Sequence, residues 1–281
     1  MTSALSEEKL ADLLKKANQL RVFVIEMLSE AGSGHTAGSL GMADIFTAFY
    51  FHILNHDPKN PTFVDRDRLV LSNGHICPIQ YAAMALSGYF PIEELKTLRK
   101  IGSRLQGHPH RTSLPGIETT SGPLGEGLSQ AIGMALAKKL DNKDFHIYCL
   151  TSDGEHDEGN HWEAVMFTGK NKMGNIIQII DRNNIQITGT TEDIMPLESL
   201  SEKYKAFNWA VFEVDGNNIK EFIESVEKAK EISDKPVVII AKTIPGKGVS
   251  FMENDYLWHG KAPTKEEAEK ALKELNSYMA E

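Results

Sequence analysis

Asp153 and Asn183 stand thirty positions apart, each closing an apolar run that breaks into turn residues, FHIYCLTSDG and NIIQIIDRNN. That gap is the length of one βαβ crossover, so both side chains can face one crevice. A carboxylate oxygen, an amide oxygen and a backbone carbonyl form a hard oxygen set suited to Mg²⁺ or Ca²⁺. Mg²⁺ keeps part of its shell for phosphate oxygens and water, so the pair implies a metal-bridged diphosphate. The plain alternative is two turn residues, since Asp and Asn favour turns. Asp153 also opens a crowd of like charge. Thr151 to Ala164 carries Asp153, Glu155, Asp157, Glu158 and Glu163 with no Lys or Arg among them. Such a run is either a solvated loop or the surroundings of a cation.

Histidines form the second group. His35 lies in GSGHTAGSLGMAD, His75 in LSNGHICP, His108 and His110 in QGHPHR, and His259 in LWHGKAP. All sit close to Gly or Pro, in loops and not on apolar helix faces. Neutral imidazole donates and accepts hydrogen bonds and relays protons near neutral pH. The spacing argues against zinc, because these histidines form no HExxH or Cys/His cluster. GSGHTAG has Ala37 where a third glycine would complete GxGxxG, and it follows a helical segment, so it does not indicate a nicotinamide cofactor. SGPLGEGLSQ (Ser121–Gln130) can open a helix and lend free N–H groups to an anion or a ring. An ordinary helix-start loop is the other reading.

These loops need a scaffold. Leu10, Leu13, Leu14, Ala17, Leu20 and Val24 recur at helical spacing and predict a helix ending near Gly32-Ser33-Gly34. A second helix is expected from Met42 to Ile53. RLVLSNG (Arg68–Gly74) reads as a strand stopped by turn chemistry. GEGLSQAIGMALAKKL and GNHWEAVMFTGKN read as helices, the latter with Trp162, Val165 and Met166 on one side. WAVFEVDGNN and PVVIIAKT are further strands. Thr264 followed by Glu267 is a capping-box signature for a last helix with Ala268, Ala271, Leu272 and Leu275 inward. Val- and Ile-rich strands alternating with helices predict an α/β fold, a mostly parallel sheet covered by helices on both faces. Residues 1–281 parse most simply as one domain. In open α/β sheets ligands bind at the carboxyl ends of strands, where the unusual residues fall here.

The 281 residues are 41% hydrophobic and 25% charged, with a net charge of −9, which argues against a nucleic-acid surface. Two cysteines, Cys77 and Cys149, form no disulfide framework and suit a reducing compartment. No secretory signal or membrane-spanning apolar run is visible, so a cytoplasmic location is expected.

In this order, SGH…GSLGMAD, DRLVLSNGH, GHP, GPLGEGLSQAIGMALA, DGEHDEG…WEA and DRNNIQITG resemble the N-terminal, diphosphate-binding region of transketolases over nearly the whole chain. The wording is closer to transketolase than to the deoxyxylulose-phosphate synthases. The resemblance implies the thiamine-diphosphate-binding fold of the diphosphate type, thiamine diphosphate as cofactor, and Mg²⁺ or alternatively Ca²⁺ or Mn²⁺. It assigns Asp153, Asn183 and the Ile185 carbonyl to the metal. It puts Gly154, His75 and His259 near the diphosphate, and Gly122, Leu124 and Ile187 around the cofactor rings. His35, His75, His108 and His259 match the histidines around the reactive carbon and donor hydroxyls. Glu158 and Glu163 match acids at the interface between subunits that connect cofactor sites. Ser152 replaces the family's first glycine. Glu155 and Asp157 receive no role and are read as solvated loop, and His110 receives none.

Transketolases are usually more than twice this length. The resemblance therefore implies the first subunit of a split enzyme, completed by a separate C-terminal, pyrimidine-binding chain in a heterotetramer. The implied activity is transfer of a two-carbon glycolaldehyde unit from a ketose phosphate to an aldose phosphate, as in the pentose phosphate pathway. The alternatives are the same chemistry on a sulfo-sugar or branched sugar phosphate, or a non-catalytic cofactor-binding or regulatory module.

Overall fold

A computed structural model describes residues 5–277. Among them lie strands β1 (Arg68–Leu71), β2 (Ile147–Ser152), β3 (Ile176–Arg182), β4 (Ile185–Gln186), β5 (Gly189–Thr190), β6 (Ala210–Asp215) and β7 (Val237–Lys242). The helices are α1 (Glu7–Ala31), α2 (Ala37–Gly41), α3 (Ala43–Ala48), α4 (Cys77–Ser87), α5 (Gly127–Leu140), α6 (Gly159–Lys170), α7 (Thr191–Ile194), α8 (Leu200–Ala206), α9 (Ile219–Lys230) and α10 (Lys265–Ser277). Strands β1, β2, β3, β7 and β6 pair in that order, all parallel, and β4 and β5 form a small antiparallel ribbon.

Successive strand side chains point to opposite faces. Tyr148 and Leu150 of β2 therefore join the core under α1, α3, α4 and α9, while Ile147 and Cys149 join the core under α5, α6 and α8. With helices on both sides, every position of β2 and β3 is buried, which is why both are rich in consecutive apolar residues and do not alternate apolar with polar. The edge strand β6 is only partly covered.

The helix ends aim the loops. Ser6 caps α1 by accepting the Lys9 N–H, and Gly32 closes it in a left-handed conformation with its N–H on the Leu28 carbonyl. His35 follows directly. The expected apolar face of α1 is too wide: Leu14 is 50% exposed and Leu10 half-buried, because the packed stripe is Leu13, Ala17, Leu20 and Val24. The segment expected as one helix from Met42 is α3 continued by a π-helical turn, Phe49–Ile53. In α6, Val165 is buried and Trp162 half-buried, but Met166 is 46% exposed. The polar His161 and Thr168 occupy the inward face in its place. There the His156 and His161 imidazoles both meet the Tyr204 hydroxyl, at 2.8 and 2.9 Å, so hydrogen bonding makes polar residues buriable. The capping box of α10 forms as expected: Glu267 accepts the Thr264 N–H at 2.9 Å and donates its own N–H to the Thr264 hydroxyl at 3.2 Å.

Candidate active site

Three of the four candidate histidines converge at the carboxyl edge of the sheet. The loop after α1 carries His35, the turn after β1 carries His75, and a single 3₁₀ turn, Tyr256–Trp258, delivers His259. Ring centroids lie 4.9 Å apart for His35 and His75, 5.3 Å for His75 and His259, and 5.5 Å for His35 and His259. His108 stands further out and exposed, beside Gly122, where an added Cβ would lie 3.8 Å from its ring. Burial pushes His35 down to about 4, and charge on His259, Arg99 and His108 adds to the shift. Burial likewise lowers His75, His259 and His108, with Arg99 contributing at His108. At neutral pH the cluster is uncharged, able to donate and to accept.

An NMR titration of the His35 imidazole is expected to find its midpoint near 4, not near the ordinary 6.5. A depressed histidine stabilises the fold above the unfolded pKa, and this contribution is lost as pH falls through the folded one. The window is therefore 6.5 down to about 4. A midpoint near 6.5 would mean that the ring is not enclosed as described.

The acidic site lies one strand over. Register pairs Ser152 with Asp181, which sets the ends of β2 and β3 side by side. Asp153 is 1% exposed. Its Oδ2 accepts the Asn184 N–H at 2.7 Å and an Arg182 guanidinium N–H at 3.1 Å, and its Oδ1 accepts the Gly154 N–H at 2.8 Å. Asn183 Oδ1 accepts the Ile185 N–H at 3.0 Å, and Asn183 Nδ2 donates to Asp181 at 2.8 Å. One lone pair on Asp153 Oδ1 and one on Asn183 Oδ1 remain unused. The β4–β5 ribbon begins at Ile185 beside them. Ser152, where the resemblance leads one to expect glycine, is the last residue of β2 and has no positive φ, so the turn makes no demand for glycine there.

Asp153, Glu155 and Asp181 are each at most 1% exposed. Burial raises Asp153 to about 6, against the pull of the Asn184 N–H and Arg182. Burial also raises Asp181 to about 7, and the neighbouring Asp153 charge adds to it. Arg182, buried itself, is the guanidinium that answers Asp153, and it is shared with Glu192 and Glu198. This surplus of buried negative charge fits a cation. Among the described residues no three His, Cys, Asp or Glu side chains are placed so that they could hold a metal ion together. A cation here would rest on Asp153, the Asn183 amide oxygen and a backbone carbonyl.

Glu155 corrects the expectation of a solvated loop. It is 0% exposed. Its Oε1 accepts the Gly125 N–H at 2.7 Å and the Ser72 hydroxyl, and its Oε2 accepts the Ser152 N–H at 3.1 Å. Ser72 in turn accepts the Gly127 N–H at 3.0 Å. One carboxylate thus ties the end of β1, the end of β2 and the glycine loop that opens α5. Burial raises it to about 7 despite these hydrogen bonds. No local signal reveals this, because its partners are distant in sequence. Asp157 is exposed, as expected for a loop residue, and accepts from Gln186 Nε2 at 3.0 Å. Glu158 and Glu163 are exposed at the start of α6. His110 meets the Ser113 hydroxyl at 2.9 Å.

The tie also explains a glycine. A Cβ on Gly127 would fall 2.3 Å from Ser72 Cβ and 2.8 Å from its Cα. Overpacking at such a contact costs about 1–3 kcal/mol. Gly127→Ala is therefore expected to destabilise the chain by that much, read from the denaturant midpoint; an unchanged midpoint would remove the close approach of α5 to β1.

Around the histidine cluster lie polar atoms without partners. Both side-chain polar atoms of Asn73, the Ser121 hydroxyl and His35 Nδ1 are buried and unbonded. Each such group costs about 1–3 kcal/mol if left unsatisfied, so this wall fits a polar ligand. Leu124 is half-buried beside it, and Ile187 is 69% exposed on the β4–β5 turn, both free to meet a ring. Sites and cluster adjoin: a Cβ on Gly38, three residues after His35, would lie 4.0 Å from an Asp181 oxygen.

Comparison with known proteins gives the arrangement a family. A family model described as transketolase, thiamine diphosphate binding domain, matches residues 14–279. The chain is 44% identical over 271 residues to the 6-deoxy-6-sulfo-D-fructose transketolase subunit SqwG of Clostridium sp., covering 96% of this chain and 98% of that protein. It is 39% identical over 265 residues to one of the subunits of the apulose-4-phosphate transketolase of Phocaeicola vulgatus, covering 94% and 93%. A crystal structure of transketolase from Campylobacter jejuni matches with a TM-score of 0.88 and 38% identity, over 94% of this chain and 43% of that one. The chain thus spans these two relatives, each named a subunit, nearly end to end and less than half of the longer transketolase. On these grounds it belongs to the family of transketolase thiamine diphosphate binding domains.

Proposed function

We propose that this chain is the diphosphate-binding subunit of a two-chain transketolase. With a pyrimidine-binding partner it transfers a two-carbon glycolaldehyde unit from a ketose phosphate to an aldose phosphate. The observation that carries this reading is the meeting of the His35–His75–His259 cluster with the Asp153 and Asn183 strand ends at one sheet edge. The names of relatives matched nearly end to end, each called a subunit, support a separate partner, and we place the pair in a heterotetramer.

Asp153, Asn183 and the Ile185 carbonyl would hold Mg²⁺, for which Ca²⁺ or Mn²⁺ can substitute, and the metal would carry the diphosphate of the cofactor. Gly154 and His75 border that end. Gly122, Leu124 and Ile187 border the rings. Thiamine diphosphate, when bound, supplies the carbon nucleophile that takes up and releases the two-carbon unit. His35 and His259, uncharged at neutral pH, hold or move a proton at the substrate oxygen that gains negative charge. His108, at the outer rim, contacts donor hydroxyls. Glu158 and Glu163, exposed on α6, are placed to face a neighbouring protomer. Among the described residues no helix is long and apolar enough to cross a membrane. Cys77 and Cys149 are free and buried, which accords with a cytoplasmic location.

The test is reconstitution. This chain and a candidate partner are mixed with thiamine diphosphate, Mg²⁺, xylulose 5-phosphate and ribose 5-phosphate. Sedoheptulose 7-phosphate from the mixture and from neither protein alone is expected. A demonstrated complex without that product would overturn the pentose phosphate reading. A second reading keeps the chemistry and changes the sugar, to a sulfo-sugar or a branched sugar phosphate. Its support is the names of the relatives at 44% and 39% identity.

A further inference from the structure

Arg182, the last residue of β3, is an arginine held inside the protein, 4% exposed. Each terminal nitrogen of a guanidinium carries two protons, and here all of them find acceptors. One nitrogen donates to Asp153 Oδ2 at 3.1 Å and to the Thr191 hydroxyl at 2.7 Å. The other donates to Glu192 at 2.7 Å and to Glu198 at 3.0 Å. Asp153 belongs to the turn after β2, and the other acceptors belong to the segment that follows β5. One side chain thus joins two loops at the carboxyl edge of the sheet.

Both loops border the candidate site. The Asn184 N–H and Arg182 together occupy Oδ2 of Asp153, which leaves Oδ1 as the oxygen with a free lone pair. The carboxylate is therefore oriented from its Oδ2 side. Three carboxylates share the one guanidinium, so Asp153 keeps charge to offer a cation. The other loop continues the ribbon that carries Ile187. Its Thr191 N–H donates to the Asn184 carbonyl at 3.0 Å, and a Cβ on Gly189 would lie 3.3 Å from Ile194 Cδ1, so α7 and the β4–β5 ribbon pack as one piece. That piece buries little. Residues 192–196 are all exposed, Ile194 and Met195 included, and the apolar anchor is Leu197, 3% exposed. The Lys203 ammonium adds a tie to the Leu197 carbonyl at 2.7 Å. A segment with so few buried contacts depends on its hydrogen bonds, and Arg182 supplies those from Thr191, Glu192 and Glu198 to the sheet.

We propose that Arg182 is a positioning residue for the cation and the cofactor. It turns Asp153 so that Oδ1 faces the cation, and it clamps α7 and the ribbon carrying Ile187 to the same carboxylate. The cation seat and the wall beside the cofactor rings are thereby held in register. This deepens the transketolase reading and rests on it for the identity of the cofactor, whereas the clamp is a property of this chain alone. A lysine cannot stand in fully, because one compact ammonium lacks the planar fork that serves both loops at once.

Two experiments test this. Amide hydrogen exchange is first followed in the full chain alone. In Arg182→Met the Thr191, Met195 and Leu197 N–H groups should exchange about tenfold faster, because the segment loses its charged hydrogen bonds. These amides exchange by local opening, so a merely general loss of stability in a folded variant leaves them unchanged. Arg182→Lys keeps the charge opposite the buried Asp153, and so keeps the fold should Arg182→Met lose it. Faster exchange is expected there too, by a smaller factor. The reconstituted pair is then titrated with thiamine diphosphate in Mg²⁺ by calorimetry, and assayed. Cofactor affinity should fall about tenfold in Arg182→Met, as for loss of a hydrogen-bond partner of a metal ligand, and less in Arg182→Lys. At saturating cofactor and Mg²⁺, kcat should stay near wild type, since Arg182 positions the site without meeting the reacting atoms. Segment amides at the wild-type rate in both variants would overturn the clamp. Unchanged cofactor affinity, or a fall in kcat in its place, would overturn the positioning role. If the wild-type pair takes up no thiamine diphosphate, the cofactor reading fails, the positioning role falls with it, and the exchange alone decides the clamp.

Discussion

Glu155→Ala is expected to cost about 3–5 kcal/mol of stability, as when one partner is removed from a buried charged network. The side chain is 0% exposed, so water cannot replace it in place. Its loss strands the Gly125 N–H, the Ser152 N–H and the Ser72 hydroxyl together. Each buried donor left alone costs about 1–3 kcal/mol, and the three are neighbours, so their costs combine without simply adding. Glu155→Gln should fall in between. Its amide oxygen can keep the donors of one carboxylate oxygen, but its NH₂ then faces a donor at the other. The measurement is the denaturant midpoint, with Ser72→Ala and the double variant completing a cycle. Coupling between the two sites is expected because they share one hydrogen bond. A Glu155→Ala chain within about 1 kcal/mol of wild type, close to the range of ordinary surface substitutions, would contradict the network.

Glu155 also shows what the sequence conceals. In TSDGEHDEGNHWEA it is one acid among five, and nothing separates it from Asp157 two positions on. Asp157 is exposed and Glu155 is not, because the first turn after β2 points Glu155 under the glycine loop. That distinction depends on Ser72 and Gly125, which reach it only through the tertiary fold. The same holds for Arg182, which reads as a polar residue at a strand end but is buried against Asp153. Local patterns are legible where the cause is local. The Thr264–Glu267 capping box, the Gly32 helix end and the buried runs of β2 and β3 follow from neighbours within a few residues. His35, His75 and His259 stand out because each lies in a short glycine-flanked loop after or before a regular element. Their gathering follows from which strand ends adjoin, and periodicity alone does not contain that. Leu14 and Met166 mislead for the opposite reason: both fit an apolar stripe, but neighbouring elements cover only part of it.

Asp153→Asn is expected to abolish Mg²⁺-dependent uptake of thiamine diphosphate by the reconstituted pair while leaving the fold standing. The carboxylate and the amide have the same shape, so packing is unchanged. The amide oxygen should stay where Oδ2 meets Asn184 and Arg182, the pair of donors at 2.7 and 3.1 Å. Its NH₂ then takes the place of Oδ1, opposite the Gly154 N–H and where the unused lone pair had been. A nitrogen with two protons offers a cation nothing. Stability should fall by about 1 kcal/mol for the one hydrogen bond lost. Affinity for the cofactor with Mg²⁺ should fall by more than the roughly 10–100-fold that accompanies loss of an outer hydrogen-bond partner of a metal ligand. Asp157→Asn is the control, an exposed acid nearby whose one contact is Gln186. It lowers the charge of the loop equally, so a general electrostatic effect would appear in both variants. Calorimetric titrations with and without Mg²⁺ separate the cases. If Asp153→Asn keeps the Mg²⁺ dependence of the wild type, the ion does not sit on Asp153 and the two strand ends do not share it.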